Sequence, residues 1–246
     1  MLMISPCRSG STVMLRVFGY GGAAAYFQPI KNALRWGHLG ENRPWIPPND
    51  GGPVFIKETF GPFHRFETAF DPVQELIISG LAPDRLRLVV LLRDPGMVWV
   101  SWRTVWPQSA RMELLAQSYR ACLSCVATAR QSGIPVVQLK YEASARDPGQ
   151  TLSPLFSEMG LGQAEKALRD WPIRPAFGAA GSGVFLPKEP ADYITQGAHD
   201  LVIQAAAFGK LPPRATPTAE ELEQIARSSI LQNHAAMSAL PTEFPA

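Results

Sequence analysis

The sequence predicts a three-layer α/β/α sandwich around a mostly parallel central sheet, and three observations carry that prediction. Residues 86–92 (Leu-Arg-Leu-Val-Val-Leu-Leu) form a nearly continuous apolar and branched run, the pattern of a parallel strand buried on both faces. Segments of helical period lie between this run and the other apolar runs, so strands and helices alternate along the chain. The residues with the most distinctive chemistry follow strands, where open α/β sheets bind their ligands.

In chain order, residues 1–4 read as a short buried strand, and Pro6-Cys7-Arg8-Ser9-Gly10-Ser11-Thr12 reads as a turn. Met14, Val17, Phe18 and Gly21 then recur at spacings of three and four, one face of a helix that Gly19, Gly21 and Gly22 weaken. Val54-Phe55-Ile56 lies between Gly51-Gly52-Pro53 and Gly61-Pro62, as a short strand between turns does. Residues 72–80 read as a helix, and residues 86–92 as the central strand. Residues 110–132 read as a long helix with Leu114, Leu115, Tyr119, Cys122 and Val126 on one side and Gly133 at the capping position. Residues 134–139 give another strand and 148–159 another helix. Pro212-Pro213 and Thr216-Pro217 precede a last helix from about Thr218, whose hydroxyl forms a capping box with Glu221 and whose stripe is Leu222, Ile225, Ala226 and Ile230. This divides the chain into an α/β domain, 1–211, and a Pro-rich linker with a helix, 212–246, which docks on its own core or on a second subunit of a homodimer.

Composition excludes several function classes. With 23 basic and 21 acidic residues the net charge is +2, which gives no broad field for a nucleic acid or an anionic membrane, so any anion site must be local. No run reaches the ~18 to 20 apolar residues that cross a bilayer, and the start is too short for a signal peptide, so a cytoplasmic location is expected. Three cysteines argue against a disulfide framework, and Cys122 and Cys125, although spaced C-x-x-C, sit within a helical pattern as small core residues.

The first chemical loop, Pro6 to Thr12, combines a glycine that lets consecutive N–H groups turn inward with the N-terminus of the helix that follows. Ser9, Ser11 and Thr12 add hydroxyl donors, and Arg8 adds a planar cation suited to phosphate or sulfate oxygens. It is no Walker A loop, since Gly-x-x-x-x-Gly-Lys-Ser/Thr is absent. Nor is it a Cys-x5-Arg phosphatase loop, because Val13 stands where the arginine would be. The second loop, Arg93-Asp94-Pro95, follows the central strand; Pro95 suits a first helical turn, which brings Ser101 round near Arg93 to flank one anion.

Together the two signatures, Pro-x-Arg-Ser-Gly-Ser-Thr and Arg-Asp-Pro with a serine eight residues past that arginine, resemble the sulfotransferase family. Lys140-Tyr141-Glu142 before a short helix resembles the family's strand ending in Tyr-Glu. The resemblance spans residues 1–161, with a fainter likeness at Gly181-Ser182-Gly183-Val184-Phe185 to its C-terminal glycine loop. It implies a P-loop NTPase-like fold, 3′-phosphoadenosine 5′-phosphosulfate (PAPS) as donor, and transfer to a hydroxyl or amine of a small-molecule acceptor, with no metal. By position, Arg8, Ser9, Gly10, Ser11 and Thr12 would grip the 5′ phosphosulfate, and Arg93 with Ser101 the 3′-phosphate. Val13 stands where some members carry a tryptophan to stack on adenine.

Sulfuryl transfer needs cations where charge develops and a base for the acceptor's proton. Arg8 and Lys57 suit the first task. Glu58 is expected as the base, its pKa raised by burial near Phe55, Phe60 and Phe63, with His64 as a rival and His38 and Glu67 as further candidates. Residues 19–70 and Trp99, Trp102 and Trp106 are expected to shape a partly apolar acceptor pocket. Two other classes stay open: a kinase-like phosphotransferase using a magnesium nucleoside triphosphate, and a non-catalytic nucleotide-binding protein of the same fold.

Overall fold

The computed structural model describes residues 1–48, 51–169, 171, 178–193 and 215–245. Its sheet is built outward from β1 (Leu2–Pro6). One neighbour is β3 (Val54–Phe60), in a register that sets Ser5 beside Thr59; the other is β4 (Leu88–Leu92), which sets Ile4 beside Val90. Beyond β3 come β2 (Ala24–Phe27) and the two-residue β6 (Val184–Phe185); beyond β4 comes β5 (Val136–Lys140). The order is β5-β4-β1-β3-β2-β6, and every pairing among the described strands is parallel. A parallel sheet puts all carboxyl ends at one edge, so the loops after β1, β3 and β4 meet there.

The two-residue period of a strand divides the core into two layers. Leu2, Ile4, Leu88, Val90 and Leu92 face α3 (Pro72–Ile78), α4 (Pro95–Val105) and α5 (Met112–Gln131), all on the α5 face. Met3, Val89 and Leu91 face α1 (Ser11–Tyr20), α7 (Pro148–Glu158) and α8 (Ala164–Arg169), on the α1 face. The short α6 (Tyr141–Arg146) begins directly at the tip of β5. The architecture is thus the three-layer sandwich with a parallel sheet. Each fully buried Leu or Val contributes roughly 1.5 to 3 kcal/mol, and these central strands are buried throughout.

Neither β2 nor α2 (Pro29–His38) was anticipated, nor were α8 and β6. Residues 24–27 (Ala-Ala-Tyr-Phe) are too short and mixed to show a period, yet pair with β3 as β2. The polar α2 follows, packed between β3 and α3.

The C-terminal helix expected as one piece is two, α9 (Ala219–Arg227) and α10 (Ile230–Ser238), because Ser228 is extended at ψ 169°. The Thr218–Glu221 capping box is present. Ile225, Ile230, Met237 and Leu240 are buried in the core of the α5 face, and the N–H of Gln138 on β5 donates to the Pro241 carbonyl at 2.8 Å. Pro212, Pro213 and the expected boundary near residue 211 lie outside the described residues. No described helix is long and apolar enough to cross a membrane.

Candidate anion site at the tips of three strands

The loop leaving β1 is shaped by two left-handed residues, Arg8 at φ 73° and Gly10 at φ 95°. The second requires glycine for space as well: a Cβ at Gly10 would lie 2.3 Å from the Tyr141 ring. Ser9 is buried and its Oγ donates to the Pro6 carbonyl at 2.8 Å, so this hydroxyl braces the loop from within. Gly10 is the N-cap of α1 and offers no side chain to the first turn, which leaves the N–H groups of Ser11 and Thr12 directed out of the helix end. Ser9 to Thr12 therefore present N–H groups at the start of a helix, a geometry suited to an anion.

The second loop closes on the first. Arg93 Nη1 donates to the Arg8 carbonyl at 3.0 Å, and Arg8 Nε donates to Ser101 Oγ on α4 at 3.0 Å. The Arg93 guanidinium lies 4.9 Å from the centre of the Tyr141 ring that covers Gly10, and Glu142 accepts from the Asp94 N–H at 2.9 Å. Trp102 Nε1 donates to the Cys7 carbonyl at 2.8 Å. Arg8, Arg93 and Ser101, 93 positions apart at the extremes, thus stand together at the tips of β1 and β4. The Arg8 side chain points toward Ser101, on the side expected for the 3′-phosphate rather than for the sulfuryl group.

At the tip of β3, alternation separates the neighbours Lys57 and Glu58 onto opposite faces. Glu58 lies on the α5 face at 0% exposure, where its Oε1 accepts the N–H groups of Ile30 at 2.7 Å and Lys31 at 3.4 Å. It thereby caps α2, whose own N-cap, Gln28, is left-handed and makes no capping bond. Its Oε2 has no hydrogen-bond partner. Burial pushes the Glu58 carboxyl up to about 7 against the opposing pull of Lys31, the Ile30 N–H and Lys57.

Lys57 lies on the α1 face at 2% exposure, with Nζ 4.0 Å from the centre of the Phe27 ring, and burial pulls its ammonium down to about 7. Beside it stands Lys31, an α2 residue that belongs to no motif and that sequence reasoning missed. Lys31 Nζ lies 3.5 Å from Thr59 Oγ1, 4.0 Å from Cys7 Sγ and 3.5 Å from Glu67 Oε2. Glu67 also takes Arg35 Nε at 2.8 Å. Burial alone would raise Glu67, but Lys31 and Arg35 outweigh it and hold the carboxyl below its ordinary value. Thr59 further contacts Gln28 and Cys7, so the tips of β1, β2 and β3 and the start of α2 form one polar cluster.

His64 is half-buried in an aromatic group, its ring 4.5 Å from Tyr193 and 5.6 Å from Phe66, and burial lowers its pKa. His38 is exposed, 6.2 Å from His64. Beside this group a cleft of about 660 Å³ opens between α2 and α3, lined by Ile30, Leu34, Trp45, Phe66 and Leu76 among others.

One expectation needs correcting. Trp99 and Trp102 of α4 and Trp106 just beyond it pack against the protein: Trp102 is fully buried under the Cys7 carbonyl, Trp106 packs edge-on to it at 6.2 Å, and Trp99 donates to Glu221 of α9. Their helical spacing is that of packing. The glycine stretch 181–183 packs on the far end of α1: a Cβ at Gly183 would meet the Gly19 carbonyl at 2.5 Å. Gly19 is nine residues along α1 from Gly10, roughly 13 Å away along the helix axis.

A scan against protein-family models and a search of curated proteins return no match for this chain.

Proposed function

We propose that the chain is a P-loop-like sulfotransferase that moves a sulfuryl group from PAPS to a hydroxyl or amine of a small-molecule acceptor. The observation that carries the reading is the meeting of Arg8, Arg93 and Ser101 on adjacent strand tips, beside a cradle of backbone N–H groups at the start of α1. A nucleotide with phosphates at both ends of its ribose suits two such neighbouring anion sites. The strand order around β1 supports the P-loop-like assignment, since the loop that would hold the anion leaves the strand flanked on both sides by β3 and β4.

In this reading Arg93, Ser101 and Arg8 hold the 3′-phosphate, and Ser9 to Thr12 hold the phosphosulfate. Lys57 and Lys31 face the other side of Cys7, where charge develops on the bridging oxygen. Of the candidate bases, Glu58 is fully buried as the cap of α2. His64 is half-exposed beside the cleft and is the better placed to meet an acceptor. The cleft's largely apolar lining suits a partly apolar acceptor.

Thermal unfolding with 3′,5′-adenosine bisphosphate tests the reading. A ligand at 100 times its dissociation constant stabilises the folded state by about 2.7 kcal/mol. The wild type is expected to show the corresponding rise in Tm, and Arg93→Ala and Ser101→Ala to lose most of it. No rise in the wild type, or a rise only with magnesium-ATP, overturns the proposal.

A further inference from the structure

Lys57 is only 2% exposed, and no carboxylate among the described residues pairs with it. Among the described residues its ammonium makes no hydrogen bond and no ion pair, and it lies over the face of Phe27. The charged or titratable groups that face it are Cys7 on the loop after β1, Lys31 on α2, Glu58 within β3, and Glu189 on the segment after β6. None of the carboxylates is free to serve it. Glu58 is on the opposite face against the start of α2, and Glu189 is bound by Arg35 Nη1 at 2.7 Å. The neighbouring Lys31 repels it and is itself held by Glu67. A cation buried among such neighbours sheds its proton unless an anion arrives.

We propose that Lys57 is uncharged in the ligand-free protein and takes up one proton as the sulfate or phosphate end of the ligand enters the loop beside Cys7. Lys31, paired with Glu67, is the second lysine of the same site. The inference rests on the anion site proposed above and adds its proton balance: neutral amine, solvent proton and ligand anion become an ammonium–anion pair, with one N–H bond formed and no other bond changed. The lowered pKa of Lys57 agrees with this. The arrangement makes capture of the anion pH-dependent, because above neutrality each complex must draw its proton from a scarcer supply.

Isothermal titration of the full chain with inorganic sulfate, and separately with 3′,5′-adenosine bisphosphate, in buffers of differing ionisation enthalpy reads the proton directly. Sulfate does not titrate in this range, so any uptake belongs to the protein. The wild type is expected to take up close to one proton per ligand near pH 8, with affinity falling about tenfold per pH unit above that. Lys57→Met should bind more weakly with no such uptake, and Lys57→Arg should bind with a flat pH dependence. Binding without uptake, or equal uptake in Lys57→Met, overturns the inference. If sulfate binds with uptake and the bisphosphate does not bind, the nucleotide reading falls and the role of Lys57 stands; if neither binds, both fall. Competitive acylation of the ligand-free wild type, mapped by mass spectrometry, needs no variant to fold. Lys57 should react as a free amine near neutral pH, and an ammonium that persists to pH 9 overturns the proposal.

Discussion

Lys57 and Glu58 are adjacent in sequence, oppositely charged, and on opposite faces of the sheet, so each offsets the other's burial only in part. Their effects on stability run in opposite directions with pH. Glu58 titrates near 7 when folded and near 4.5 when unfolded, so between those values the folded chain binds more protons and stability falls as pH rises. Lys57 titrates near 7 when folded and near 10.5 when unfolded, so above 7 the unfolded chain binds more protons and stability climbs. Both penalties are at full strength together only around neutrality. Urea unfolding of the ligand-free protein should therefore show a dip near pH 7, the acid limb worth on the order of 3 kcal/mol and the alkaline limb on the order of 5 kcal/mol. Glu58→Gln should flatten the acid limb and Lys57→Met the alkaline one. A wild-type maximum at pH 7, unchanged in both variants, would mean that each group finds a partner in solution. The sequence shows Lys57-Glu58 as a charged pair at a strand end; only the register, which sets Lys57 beside Met3 and Phe27, reveals that the two never meet.

At the scale of elements, the two loops that carry the chemistry were legible because each follows a strand with an unmistakable composition. Gly10 illustrates what that legibility covers. Its place within a run of small hydroxyl residues predicts a turned loop. That the ring of Tyr141, 131 residues later, rests on it is set by the pairing of β4 with β5 and cannot be read locally. Gly10→Ala meets two obstacles, a left-handed φ of 95° and a ring that would be 2.3 Å away and is itself held under the Arg93 guanidinium. The variant is expected to lose about 1 to 3 kcal/mol of stability and most of its affinity for the bisphosphate. Adding Tyr141→Ala should return part of the stability by removing the clash, but not the affinity, because the loop's dihedral strain remains. Full recovery of both would show that φ at this position matters little. The α2 helix was illegible for a different reason: its N-cap function is supplied from β3 by Glu58, so the usual Ser, Thr, Asp or Asn signal is missing from the chain before it. Lys31, on its first turn, was hidden with it.

Across the whole molecule, alternation of strand and helix patterns sufficed for the layered sheet, while the ends of the chain depended on contacts the pattern does not encode. The C-terminal pair α9 and α10 is fastened at three kinds of place. Glu221 takes Trp99 Nε1 at 3.0 Å and Arg103 Nε at 2.6 Å, both on the helix that presents Ser101. Ile230 and Met237 are fully buried against the α5 layer, and Pro241 accepts from β5. Burial of that depth makes these residues part of the one core of the α5 face, although their stripe alone allows docking on a partner just as well. Met237→Ala should therefore cost about 2 to 5 kcal/mol and lower the midpoint of a single unfolding transition, whatever the protein concentration. Glu221→Ala, which loosens α4 without opening the core, should cost little stability while weakening bisphosphate binding through Ser101. Calorimetry of both variants at two protein concentrations decides the matter: an early transition that splits away, or a midpoint for the wild type that rises with concentration, would assign the helix pair to an interface instead of to this core.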